Sequence, residues 1–184
     1  MNLPNLFGNK SQPFDVSQVK YKKLIDQQLV NKLTDYIQLS YKHLSKMGLS
    51  KIMVGVFETN SLVAAALLKQ ALNENVAAMI FDFGTSYTNN LTAFCNKLAL
   101  NTYLLKRGAA YQEEAARYGK NSQHYKRFMN YHLLIAADQT KSALVDTIDK
   151  SDRLLGTRPQ GFYGHFMPFY SLYKSELSPL AHFL

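Results

Sequence analysis

Short apolar runs alternate along this chain with longer stretches in which apolar residues recur at helical spacing. Lys51-Ile-Met-Val-Gly-Val-Phe57 is such a run, and its β-branched content predicts a buried strand. It leads into Leu62-Val-Ala-Ala-Ala-Leu-Leu-Lys-Gln-Ala-Leu72, where Val63, Ala66, Leu67 and Gln70-Ala71 trace a largely apolar helical stripe. Asn60 stands where an N-cap is expected. The same unit recurs. Asn75-Val-Ala-Ala-Met-Ile-Phe-Asp82 predicts a second buried strand, Phe83 to Asn90 a polar turn, and Leu91, Phe94, Cys95 and Leu98 a second stripe. Asn101-Thr-Tyr-Leu-Leu-Lys106 predicts a third strand, followed by helices over 109–118 and 121–138. On the latter, Tyr125, Phe128, Met129, His132, Ile135 and Ala136 share one face. Ser142-Ala-Leu-Val-Asp-Thr147 is the fourth strand.

Ahead of these units, residues 1–16 hold Pro4, Gly8 and Pro13 and read as an irregular arm. A long helix over 17–46 follows, with Val30, Leu33, Ile37 and Leu44 as its apolar stripe and Gly48 as its stop. Strands alternating with helices predict one α/β domain over 17–184: a doubly wound, mostly parallel sheet of about four or five strands with helices on both faces. In such sheets ligands bind beyond the carboxyl ends of the strands, so the turn after Val56 is the first place to look.

Composition narrows the class. Hydrophobic residues are 47% and charged residues 18% of 184, an ordinary globular balance. No apolar run reaches the roughly 18 residues that span a bilayer, and the first residues lack a signal-peptide pattern. The single cysteine, Cys95, forms no internal disulfide and reads as a small apolar side chain on its stripe. A cytoplasmic protein without a membrane partner is expected. The net charge of +8 makes anionic partners plausible without choosing among them. The basic residues are dispersed and read as a solvated face, so nucleic acid is not the expected partner, and salt-sensitive retention of tRNA would reverse that expectation.

Several segments, taken in order, resemble the ammonia-dependent NAD synthetases, a branch of the adenine nucleotide α-hydrolase group. Phe57-Glu58-Thr59-Asn60-Ser61 falls where that family has a Ser-Gly-Gly-x-Asp-Ser loop around ATP phosphates. Only Ser61 matches outright, and Asn60 stands for a metal-binding Asp. Asn121, Gln123 and Arg127 resemble part of an Asn-x-x-Ala-Arg-x-Arg-Met helix start, with Tyr125 in place of the first arginine. Thr147, Lys150, Ser151 and Gly156 agree with a Gly-Thr-Gly-Asn-Lys-Ser-Glu segment soon followed by Gly, in which Asp146, Ile148, Asp149 and Asp152 are replacements. Pro168, Leu172-Tyr173-Lys174, Glu176-Leu177 and Leu180-Ala181 resemble a downstream Asn-Pro, Asp-Leu-Tyr-Lys and Leu-Ala segment. Where the family has Gly-Asp-Gly, this chain has Gly161-Phe-Tyr-Gly164-His165. The family's C-terminal lid has no counterpart before Leu184.

The resemblance implies ATP, Mg²⁺ and deamido-NAD as ligands, and an amide ligase that adenylates a carboxylate before ammonia displaces AMP. It places nucleotide contacts at Phe57, Glu58, Thr59, Asn60, Ser61, Thr147 and Arg127, metal contacts at Asn60 and Asp152, and catalytic roles at Lys174 and Asp152. It also implies a homodimer through the 121–138 helix. The residues themselves argue against the phosphate site. Phosphate loops use Ser and Gly so that backbone N–H groups reach the oxygens. Phe57 adds bulk, and a Glu58 carboxylate about 4 Å from a phosphate costs about 4 kcal/mol at an effective dielectric near 20. The expectation is therefore an inactive nucleotide-binding or interaction module on an NAD synthetase scaffold, with no certain cofactor. The alternative is an active ligase with a divergent site. The five histidines show no metal-ligand spacing, and the aromatic loop around His165 reads as packing, with base stacking as the other option.

Overall fold

The structure, a computed structural model, describes residues 25–83, 85–119, 122–157 and 164–184. The expected arm over 1–16, the expected helix residues 17–24, Gly84, Asn121, the Gln123 side chain and residues 161–163 lie outside the described residues. Helix α1, Gln27–Lys46, starts where Asp26 accepts the Leu29 N–H at 2.9 Å. Among the described residues the helix thus begins at Gln27, because Asp26 is extended and caps it. Val30, Leu33 and Ile37 are buried as the stripe predicts, and Gly48 takes φ +88 just past the end.

Strand β1, Lys51–Gly55, enters α2, Thr59–Leu72. Then come β2, Val76–Asp82; α3, Ser86–Lys97; β3, Asn101–Lys106; α4, Gly108–Tyr118; α5, Ser122–Gln139; and β4, Ser142–Leu144. The short helices α6, Lys150–Leu155, and α7, Lys174–Leu180, follow. The sheet order is β3-β2-β1-β4, with every pair parallel. Beyond β4, Phe166 makes a parallel bridge to Val145, and the His165 N–H donates to Leu144 O at 2.7 Å. The predicted fourth strand is therefore shorter than 142–147: its ladder to β1 ends at Leu144, after which the chain turns across the sheet's carboxyl edge.

Period-two alternation sorts the strands' side chains between two cores. Ile52, Val54, Val76, Ala78 and Ile80 face α1, α2, α3 and α7, with Cys95 buried among them as expected of a small apolar residue. Met53, Met79, Phe81 and Leu144 face α5. On α5 the buried row is Met129, Leu133 and Ala137, beside Phe128. The predicted face is rotated: Tyr125, His132, Ile135 and Ala136 are only half-buried, because contact with the sheet selects the i, i+4, i+8 row. Among the described residues no helix is long and apolar enough to cross a membrane.

Candidate functional site

From β1 the chain winds outward through β2 to β3 on one side, and returns to place β4 on the other. The carboxyl ends of β1 and β4 thus form the switch point where open α/β sheets leave a crevice. The β1–α2 turn forms one wall. There the N–H groups of Phe57 and Glu58 both donate to Ser61 Oγ, each at 2.9 Å, and the same hydroxyl donates to Glu58 O at 2.7 Å. Glu58, not Asn60, is the N-cap of α2, and Glu58 and Ser61 cap it reciprocally. Asn60 lies in the first turn, 1% exposed, with its side chain aimed across the crevice. Its Nδ2 donates to Asp149 Oδ2 at 2.8 Å and to Thr147 O at 3.4 Å.

The opposite wall is the segment leaving β4. Asp149 is 0% exposed and caps α6, accepting the Asp152 N–H at 2.9 Å, while Asp152 answers from Asp149 N at 3.5 Å. The second Asp152 oxygen accepts from Thr157 Oγ1 at 2.7 Å. Asp146 accepts the N–H groups of Ile148 at 3.2 Å and Gly164 at 3.3 Å. Lys126, from α5, donates to Thr157 O at 3.2 Å. The crevice between these walls encloses about 70 Å³, room for a few waters.

Glu58 is the electrostatic centre of the crevice. Burial pushes its carboxyl above the usual carboxylate range; Lys174 and Lys126 pull it down, and Asp152 and Asp149 push it up. Thus Glu58, Thr147 and Asp152, picked from separate stretches of sequence, line one crevice; Asn60 and Ser61 are buried in its wall, and Lys174, exposed at the start of α7, acts on Glu58 by its charge. Phe57 lines the crevice, whereas Thr59 is exposed on the first turn of α2. Arg127 is exposed on α5, and its neighbour Lys126 takes the position facing the crevice. Sequence reasoning had not placed Lys126, Asp146 or Asp149 in the site. The Asp149-x-x-Asp152 spacing is a readable capping signal, but nothing local marks Lys126. Among the described residues no three His, Cys, Asp or Glu are grouped to hold a metal ion.

A second and larger cavity, about 370 Å³, opens beyond β1 and β2. Phe57 separates the two and lines both, and its carbonyl accepts from the Tyr87 hydroxyl at 3.2 Å. Phe83, Tyr111 and Tyr125 pack edge to face or tilted around this cavity, with ring centroids 5.3 to 5.6 Å apart. Burial, then Tyr111, then Tyr87, push the Tyr125 phenol above its ordinary range. His165 lies apart from this cavity: its Nδ1 accepts the Leu144 N–H at 2.9 Å and so ties down the sheet edge.

Solved structures with the same fold are NAD synthetases and a relative. The NH3-dependent NAD synthetase of Campylobacter jejuni subsp. jejuni NCTC 11168, in complex with nitrate, superposes with a TM-score of 0.72 at 24% identity, covering 85% of this chain and 72% of that one. NMN synthetase from Francisella tularensis gives 0.72 at 16% identity, over 85% and 69%. The glutamine-dependent NAD+ synthetase of Acinetobacter baumannii, in complex with ADP, gives 0.68 at 16% identity; this chain spans 32% of it. No protein-family model matches the sequence, and no curated protein matches it. The parallel sheet and its flanking helices are therefore those of the NAD synthetase, adenine nucleotide α-hydrolase-like fold.

Proposed function

We propose that this NAD synthetase-like domain no longer turns over deamido-NAD and serves as a binding or interaction module. The observation that supports this reading is the satisfied loop: the two amides that a phosphate would need, on Phe57 and Glu58, are both spent on Ser61 Oγ. Opening the loop for an anion breaks those bonds, at about 1 kcal/mol each, and brings a phosphate against Glu58. Nor do the residues as arranged fit the ATP–magnesium pair that the fold implies. Asn60, Asp149 and Asp152 are committed to one another and to α6 rather than turned to a cation. What these side chains do instead is bolt the β1–α2 turn to the segment after β4.

The test is direct. Calorimetric titration with ATP–magnesium and an assay of AMP release from ATP, deamido-NAD and ammonia are expected to show no turnover above the protein-free blank. Sustained AMP release would establish the ligase reading instead. We further propose a homodimer through α5, supported by Tyr131, which stands exposed on that helix while Met129 and Leu133 are buried against the sheet. Sedimentation showing only monomer at micromolar concentration would remove it.

A further inference from the structure

β3 is the outermost strand on one side of the sheet, and it pairs with β2 one residue to one, from Ala77 and Asn101 to Asp82 and Lys106. Among the described residues nothing pairs with its outer edge, so alternate residues turn N–H and C=O groups away from the sheet. The other strands are buried almost throughout, whereas Asn101, Tyr103, Leu104 and Lys106 of β3 are exposed. Edge strands are ordinarily blunted by a charge, a proline, a bulge or a covering element. β3 has no proline and no bulge, and its one charge, Lys106, is terminal. At its centre stand Tyr103, 42% exposed, and Leu104, 45% exposed. Successive side chains of a strand lie on opposite faces of the sheet. A helix docked on one face therefore covers only one of the two. A strand added in the plane of the sheet covers both.

We propose that this edge pairs with β3 of a second copy of the chain, antiparallel about a two-fold axis, joining the two four-stranded sheets into one. The partner strand has to complement this one, and β3 complements itself. A two-fold perpendicular to the sheet keeps each face on its own side, so opposed residues are both odd-numbered or both even-numbered, and either Tyr103 or Leu104 sits opposite its own copy. Centred on Tyr103, Thr102 opposes Leu104 and Asn101 opposes Leu105; centred on Leu104, Tyr103 opposes Leu105 and Thr102 opposes Lys106. Both registers close the apolar centre, and neither sets a cation against a cation. Charge agrees with the direction. The carboxyl end of β3 is basic, Lys106-Arg107. Beside its amino end, Lys69 Nζ donates to Ala99 O at 2.9 Å and to the exposed Glu74 carboxylate at 3.1 Å. Antiparallel pairing carries each basic end toward the partner copy's amino end and its carboxylate. Parallel, in-register pairing would instead set Lys106 against Lys106. β3 lies at the opposite edge of the sheet from β4, against which α5 packs, so this contact is independent of the dimer proposed through α5.

The experiment uses the whole chain carrying Tyr131→Glu, which takes the α5 contact out of the measurement. Sedimentation equilibrium at up to about 100 μM is expected to show a dimer, since one strand pair belongs with the small, weaker interfaces. Leu104→Lys, at an exposed position, is expected to raise its dissociation constant at least about tenfold with Tm unchanged. Single cysteines read the register, because the native Cys95 is buried and does not compete. Mild oxidation is expected to cross-link Tyr103→Cys or Leu104→Cys into a covalent dimer, since the residue on the axis lies within disulfide reach of its copy. Lys106→Cys is expected not to cross-link: in either register it stands at least about 13 Å along the strand from its copy. A monomer at that concentration, indifference to Leu104→Lys, no cross-link at either central position, or a Lys106→Cys cross-link as fast as the central ones would each overturn the proposal.

Discussion

Asn60 and Glu58 carry the difference between a phosphate loop and what this chain has. Asn60 suits its place because an amide can donate to Asp149 at 2.8 Å, which a carboxylate cannot. Asn60→Asp, which restores the residue that NAD synthetases would have by the sequence resemblance, sets two carboxylates face to face in a buried crevice. It is expected to cost about 3 kcal/mol in urea unfolding at neutral pH, less in acid, and to restore no AMP release. A neutral or stabilising effect would count against the Asn60–Asp149 tie. Glu58 gives a pH signature. Its folded-state pKa lies above the ordinary 4.5, so the folded protein holds more protons than the unfolded chain between those two values. Stability therefore falls as pH rises through that window and stays lowered above it. Glu58→Gln removes the titration, so its stability relative to the parent is expected to rise from about pH 4 to about pH 8 in paired denaturation curves. A pH-independent difference would mean that the carboxylate is not under the burial described.

At the scale of elements, the segment 164–166 has to lie tight along β4 for the crevice to exist. A Cβ on Gly164 would sit 2.6 Å from Asp146 N and 2.7 Å from Leu144 O, both backbone atoms that cannot swing away. Gly164→Ala is thus expected to cost about 2 kcal/mol and to loosen the segment after β4. Hydrogen exchange at His165 and Asp146, whose N–H groups donate to Leu144 O and Phe166 O, reads this directly. The α2 start shows why element ends were harder to place than element centres. Asn60 and Glu58 are both conceivable caps, and Ser61 Oγ decides between them by taking the N–H groups of the two residues before Thr59. α5 is similar: its helical period was legible, but which row of side chains is buried depends on the sheet beneath it.

For the whole molecule, the prediction concerns assembly. If α5 carries a homodimer, Tyr131→Glu puts a charge into that contact and is expected to raise the dimer dissociation constant at least about tenfold by sedimentation equilibrium, with the monomer fold unchanged by circular dichroism. An unaltered constant would move the contact elsewhere. The sequence by itself determined the order of strands and helices, the parallel α/β class and the turn after β1 as the place of the candidate site. These follow from local periodicity, capping residues and chain direction, all of which act over a few positions. Only the tertiary structure decided that the turn is bolted shut, that Lys126 rather than Arg127 faces it, and that an aromatic cavity opens beside it. Those outcomes depend on partners far apart in the chain: Asn60 and Asp149 are 89 positions apart, and the rings around the cavity come from the turn after β1, from β2 and the turn after it, and from α3, α4 and α5. Their meeting is set by how the two faces of the sheet pack, which no local pattern encodes.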